Sequence, residues 1–437
     1  MSYFNVMNSK FFRTIFFAVL TVLLVFTPLA RGTTTTRLWA ITPVFLIIYM
    51  LVFVWLWGIN NRSNMVKRNV KIAVLDKMII AFVTITLISF VFSVYKYDSF
   101  YAFLRLLGYV GLYYLVVNNY TRGLMLYILR LVICIGTGIS IYGLLQYFGI
   151  FSHDWWHPKI FLSATYVNHN HLAGYLELII PVTIGMIVNA MKKVYSKGAF
   201  GSKHMVEVVL LTISLVITMF AFIFAQSRGG WISLGIALFV MNIILIKRKA
   251  IKTYSLGILV LIIFGIFSYF YFSEGLVSKR IGSMIDVNQG EASMESRIDI
   301  WQGTSKMIRN APWIGVGIGC FEWGVTRYRP EVLGMAGIRP RYAHNEYLQI
   351  ASETGYFGLI FMLFILSVVI SRGLGYKNKK NLYSKSDQIN YEILGCGAGM
   401  LSLAIHGLVD FNFHIVANMM LFIVLAGIIM GHGSFEE

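Results

Sequence analysis

Charge is scarce in this sequence. Asp, Glu, Lys and Arg together make up 13% of its 437 residues, against about 25% in an ordinary soluble domain. A fold surrounded by water is excluded on that ground. Acids are scarcer than bases, 19 against 37, which leaves a net charge of +18. On a soluble chain such an excess would suggest nucleic acid. Here 57% of residues are hydrophobic, and the excess belongs to basic loops flanking membrane spans, so no nucleic-acid partner is expected. Cysteine is nearly absent. Cys134 and Cys396 fall in apolar runs and Cys320 in a polar segment without a partner there, a pattern that builds neither a disulfide framework nor a metal cluster. The first apolar run lacks a small-residue cleavage site and is followed by further runs, so it reads as an uncleaved helix.

What fills the sequence is long apolar runs. About 20 apolar residues cross the hydrocarbon core as a helix. Runs of that kind occupy roughly 12–30, 38–58, 75–95, 99–117, 125–149, 165–190, 205–225, 229–246, 253–273, 355–371, 391–410 and 413–432. The expected fold is an all-α polytopic membrane protein of about 12 transmembrane helices. It divides into helices 1–9 over residues 1–273, a polar loop over 274–354, and helices 10–12 over 355–437. Lys and Arg gather in alternate connections, for example Arg62 to Lys77, Lys192 to Lys203, Lys247 to Lys252 and Arg372 to Lys385. The positive-inside rule then puts both termini in the cytoplasm and the large loop outside. That loop balances its acids and bases and is rich in Trp and Tyr, which reads as a folded cap.

Polar chemistry collects at the expected outer face. In the loop, Arg339 and Arg341 precede His344, Asn345 and a helix-like segment in which Glu346, Gln349 and Glu353 share a face. Asn345 suits an N-cap. Arginine forks fit phosphate, and histidine is a general base near neutral pH. The alternative is a capped helix whose arginines touch lipid headgroups. Gln226-Ser-Arg228-Gly-Gly joins two apolar runs. Its arginine either snorkels or serves a site. Arg297 is a second candidate phosphate ligand. The Gly315-Val-Gly317-Ile-Gly319 run lacks the βαβ setting of a nucleotide loop and reads as a tight turn. Asn168, Asn170 and His171 enter the sixth run. Glu177, a little over one helical turn further in, needs a partner or a watery cavity. The histidines there fit no zinc spacing. His406 to His414, with Asp410 and Asn412, forms the last outer turn.

His344-Asn-Glu-Tyr-Leu with Glu353 and Gly355, Ser227-Arg228-Gly, Asn168-x-Asn170-His171 and Asp410-Phe-Asn412 together resemble the bacterial O-antigen ligase and polymerase family. The likeness runs from about the fifth span onward. It implies a GT-C-like membrane glycosyltransferase of the bacterial inner membrane with a periplasmic active site and without metal or cofactor. Such an enzyme moves a glycan, with inversion, from undecaprenyl diphosphate to an acceptor. The acceptor is lipid A-core for a ligase and another lipid-linked glycan for an O-antigen or exopolysaccharide polymerase. By resemblance Arg228 and Arg297 hold the diphosphate and His344 serves transfer. Arg339 and Arg341 are auxiliary charges, and Asn345, Glu353, Asn168, His171 and Asp410 support the site. His344, or a carboxylate such as Glu353, would take the acceptor proton. The rival from another class is a transporter of lipid-linked sugar, for which ionisable residues deep in several spans are expected.

Overall fold

The computed structural model describes residues 2–33, 74–151, 161–197, 203–250, 294–328, 340–375 and 390–434. Among these residues every regular element is helical. In chain order they are α1 Ser2–Leu29, α2 Val74–Val91, α3 Lys96–Asn118, α4 Arg122–Tyr147, α5 His169–Lys197, α6 Lys203–Ala225, α7 Arg228–Lys247, α8 Met294–Asn310, α9 Phe321–Val325, α10 Glu346–Gly373, α11 Tyr391–His406 and α12 Val416–Ser434. Seven of them, α2 to α7 and α10, are long and apolar enough to cross a membrane, with mean hydropathy from 1.6 to 2.7. The chain is thus a multi-pass helical membrane protein. The expected second and ninth spans, 38–58 and 253–273, lie outside the described residues.

Side-chain caps start the helices where the sequence places short polar residues. Thr121 accepts from the Leu124 amide, Ser227 from Gly230, Asn345 from Tyr347 and Leu348, and Asn390 from Glu392 and Ile393. Each cap satisfies amides that have no partner within the helix.

α5 is the axis of the bundle: 83% of its spanning window is buried inside the protein, and α6, α7, α11 and α12 pack on it. In lipid, close packing substitutes for a hydrophobic driving force. Gly395 and Gly399 supply it. A Cβ on either would fall 2.5–2.7 Å from the backbone oxygens of Pro181 and Leu178, so α11 and α5 meet almost backbone to backbone.

α10 begins at Glu346, nine residues before the span expected at 355. One helix therefore joins the loop to the membrane, and it breaks at Gly355 (φ 72°, ψ −177°). The break frees the carbonyls of Ser352 and Glu353 from the helical ladder. They accept instead from Val316 and Gly317, each at 3.0 Å, while the Tyr356 amide donates to Pro312. The glycine-rich run is thus a turn stitched into the gap, with Gly315, Gly317 and Gly319 all at positive φ.

The starts of α5, α7, α10 and α12 and the ends of α6 and α11 converge on one end of the bundle. Lys192, Lys193, Lys203, Lys247, Arg248 and Arg372 sit at the other.

Candidate active site

The convergent end is organised by the turn between α11 and α12. Glu346 receives the Phe413 amide and lies 2.9 Å from His414 Nδ1. Its own amide donates to Gly407. Asn345, besides capping α10, donates to the Leu408 carbonyl, and the Tyr347 hydroxyl donates to Ala404. The loop that carries His344 is therefore clamped onto residues 404–413.

His344 itself is held in an uncommon backbone state, φ 49°. A bulky residue in the left-handed region costs free energy and persists only where its surroundings over-determine it. They do so here. The Ala343 amide donates to Gln349 Oε1 at 2.6 Å, and its carbonyl accepts the Trp301 indole at 2.8 Å. Gln349 in turn donates to Glu353 Oε1, whose other oxygen takes the Gly319 amide. Both Glu353 oxygens are thus committed to holding the loop. Glu353 braces the segment before His344 and does not reach out as a rival base.

The His344 ring is 21% exposed, and its Nδ1 lies 3.8 Å from Asp410 Oδ1. Asp410 is buried. Burial alone would raise its carboxyl pKa, but the imidazoles of His344, His171 and His406 around it outweigh that and hold it well below the usual carboxylate range. Phe411 is wedged between His171 and His344, edge to face with each at 4.8 Å between centroids, and Tyr342 stacks on it at 4.4 Å. His171 is only 5% exposed, and neither ring nitrogen has a hydrogen-bond partner among the described residues.

A second layer lies behind Asp410. Its Oδ2 is 3.9 Å from His406 Nε2, and His406 Nδ1 is 2.7 Å from Glu177 Oε1. Glu177 Oε2 accepts from Ser233 and Ser402 at 2.8 and 2.7 Å. The partner that an acid inside a span requires is therefore a histidine from α11, met by serines of α7 and α11. Position in sequence alone, 177 against 406, gives no hint of that pairing.

Two of the candidate arginines are exposed at this end. Arg228 is exposed as the first residue of α7, directly after Ser227, whose hydroxyl lies 3.5 Å from His406 Nε2. Arg297, on α8, is near enough for its charge to act on His406, and its Nε is buried without a hydrogen-bond partner among the described residues. Arg341 is exposed beside the Tyr342 ring, 5.9 Å from its centroid. Arg339 lies outside the described residues. Asn168 turns out to be a local cap: its side chain accepts the Asn170 amide and its carbonyl the amides of His171 and Leu172. Asn412 and Asn418 enter through packing. Asn418 donates both to Asn412 and to the His171 carbonyl, which ties α12 to the start of α5. No group of His, Cys, Asp and Glu suited to a metal ion occurs among the described residues.

The arrangement places an accessible imidazole, 3.8 Å from a buried carboxylate, at the end of the bundle where Arg228 and Arg341 are exposed. That set suits removal of a proton from a hydroxyl next to a leaving anion. An uncharacterized protein of Haemophilus influenzae (strain ATCC 51907 / DSM 11121 / KW20 / Rd) is 23% identical over 205 residues, which is 45% of this chain and 48% of that protein. The chain thus covers about half the length of this relative. Residues 213–363, the stretch that holds Arg228, Arg297 and His344, match the family model described as O-antigen ligase.

Proposed function

We propose that the protein transfers a glycan, with inversion, from undecaprenyl diphosphate to an acceptor sugar at the periplasmic face of the bacterial inner membrane, most closely as a ligase onto lipid A-core. The observation that carries this reading is His344, strained, accessible and backed by Asp410 inside the family-matched segment. The anomeric carbon of such a donor already bears a good leaving group. Chemistry then needs two things. One is charge to receive the departing diphosphate, supplied by Arg228 and Arg297 with Arg341 near by. The other is a base for the acceptor hydroxyl, supplied by His344. The acceptor oxygen bonds to the anomeric carbon, the bond to diphosphate breaks with its electron pair leaving on phosphate, and the hydroxyl proton passes to His344. Each step uses protein side chains alone, so neither metal nor cofactor is required. The basic opposite end of the bundle supports a cytoplasmic placement there, both termini included, and an outward-facing site.

Replacing His344 by Ala and following transfer from a lipid-linked oligosaccharide in detergent tests the reading. Loss of transfer with donor binding retained supports it, and full activity removes His344 from the chemistry. Turnover without a sealed compartment also separates the enzyme from a transporter. Glu177 already argues against transport, because its two oxygens are committed to His406, Ser233 and Ser402. Glycolipid profiles of a deletion strain separate ligase from polymerase: the first leaves full-length polymer on its carrier, the second leaves single repeats.

A further inference from the structure

We infer that Glu177 and His406 form a buried positioning pair for His344, acting through Asp410. This deepens the reading above and rests on it. The geometry is an alternation of carboxylate and imidazole: Glu177 to His406 at 2.7 Å, His406 to Asp410 at 3.9 Å, Asp410 to His344 at 3.8 Å. Exposure falls along the series, from 21% at the His344 side chain to 4% at Asp410, 1% at His406 and 0% at Glu177. The inner pair therefore cannot touch substrate and can act only through its neighbours.

Its construction is costly and specific. A carboxylate sealed inside a helix bundle needs full compensation, and Glu177 of α5 receives it from two other helices: α7 supplies Ser233, and α11 supplies Ser402 and His406. Gly230 leaves the room, since a Cβ there would lie 2.8 Å from Glu177 Oε1. Asn412, 3.3 Å from His406 Nδ1, closes the remaining side. So much machinery fixes one ring, and the free edge of that ring, Nε2, faces Asp410 and the Ser227 hydroxyl. The charged groups bearing on His406 are Glu177, Asp410 and, more distantly, Arg297. Those bearing on Asp410 are His406, His344 and His171.

A carboxylate on each side favours the charged form of the His406 imidazole, which then faces Asp410 as a cation. That cation draws on the same carboxylate that faces His344. It holds Asp410 in place and moderates how strongly Asp410 keeps a proton on His344 after transfer. Glu177 thereby tunes a base that it never contacts.

The test measures transfer by the full-length protein in detergent, with an undecaprenyl-diphosphate-linked oligosaccharide as donor, for Glu177→Gln, His406→Asn and His344→Ala. Rates are taken per folded molecule and across pH. Glu177→Gln keeps the shape and an oxygen for the two serines but removes the charge. It is expected to lower kcat on the order of tenfold to a hundredfold, as a small misplacement caused by a change away from the chemistry does, with donor KM changed less than twofold. The acid limb of the kcat profile is expected to move to higher pH, because Asp410 then lacks an opposing cation. A role in folding alone would reduce yield and leave both the profile and the per-molecule rate in place. Should Glu177→Gln fail to fold, His406→Asn carries the same expectations. If His344→Ala is inactive while the other two keep the normal kcat and acid limb, the pair has no part in positioning and the inference is overturned. If His344→Ala is active, it is the functional reading that falls.

Discussion

Gly355→Ala attacks the joint between the outer loop and the membrane, and its cost can be worked from the structure. Gly355 combines φ 72° with ψ −177°, a region that only glycine enters freely, at about 1–3 kcal/mol for any other residue. A Cβ there would also lie 2.2 Å from the carbonyl carbon and oxygen of Trp313 and 2.6 Å from the Ile314 amide. These are backbone atoms and cannot rotate away, so the 311–319 turn must lift. Lifting it breaks three bonds, Val316 to Ser352, Gly317 to Glu353 and Tyr356 to Pro312, each worth about 1 kcal/mol. The combined loss is about 4–6 kcal/mol. It should fall on activity as well, because Glu353 and Gln349 would no longer brace Ala343 beside His344. The control is Gly138→Ala in α4, where an added Cβ meets nothing within 4 Å. That change should be neutral or stabilise by up to about 1 kcal/mol. Denaturant titration of the purified protein, with the transfer assay beside it, reads both. A Gly355→Ala protein within 1 kcal/mol of the parent (about a fivefold change in the unfolding equilibrium constant) would refute the stitched-turn reasoning.

Further outcomes follow from the same site. Arg228→Ala and Arg297→Ala should each lower kcat on the order of a hundredfold to a thousandfold, the usual loss when one charge-stabilising donor goes, while Arg→Lys at either position restores only part of it because the fork is lost; rates in detergent check this. Asp410→Asn should unfold more easily at pH 7. Because folding depresses the Asp410 carboxyl, its contribution is full above the unfolded value of about 3.9 and is lost progressively as pH falls from there through the folded value, so the gap to the parent should begin to narrow as pH falls under 4. Cys320 is buried against the Tyr95 carbonyl, and burial raises its thiol to about 11. Maleimide should label it at pH 8 at least about a hundredfold more slowly in the folded protein than after denaturation, since the thiolate is the reactive form.

Much of this architecture was legible because membrane physics writes plainly. Apolar length and basic loops marked the spans that the described residues contain, and Asn345 announced the start of α10. The expected start at 355 missed the polar first turns of that helix. Glu346, Gln349 and Glu353 look like loop residues in a hydropathy reading, yet all three are buried, because their partners come from the loop and from the turn after α11. The site was half legible. His344, Asp410 and the arginines stood out by chemistry. Asn168 and Glu353 also stood out, and the structure gives them bracing roles. What no local pattern could supply was pairing at long range: Glu177 with His406, Glu346 with His414, Asn418 with His171.

Those pairings share a cause. A bilayer supplies no water to satisfy a buried polar group, so each must be met by protein, and helices that run antiparallel bring residues distant in sequence to the same depth. Glu177 lies 8 residues into α5 and His406 is the last residue of α11; close glycine contacts draw these two helices together. Satisfaction of one buried acid thereby fixes the rotation of α11 about its axis. The rotation of α11 sets where the 406–414 turn begins, and that turn carries Asp410 to His344. On this argument the deep acid is a structural necessity that became a reference point: the geometry of the accessible histidine is measured from inside the membrane outward. Substituting a glycine on the α11 face should therefore disturb the outer site without touching it. Gly399→Ala, whose Cβ would fall 2.7 Å from the Leu178 carbonyl oxygen, should lower kcat more than it raises donor KM. Equal changes in both would break the link drawn here between helix packing and His344.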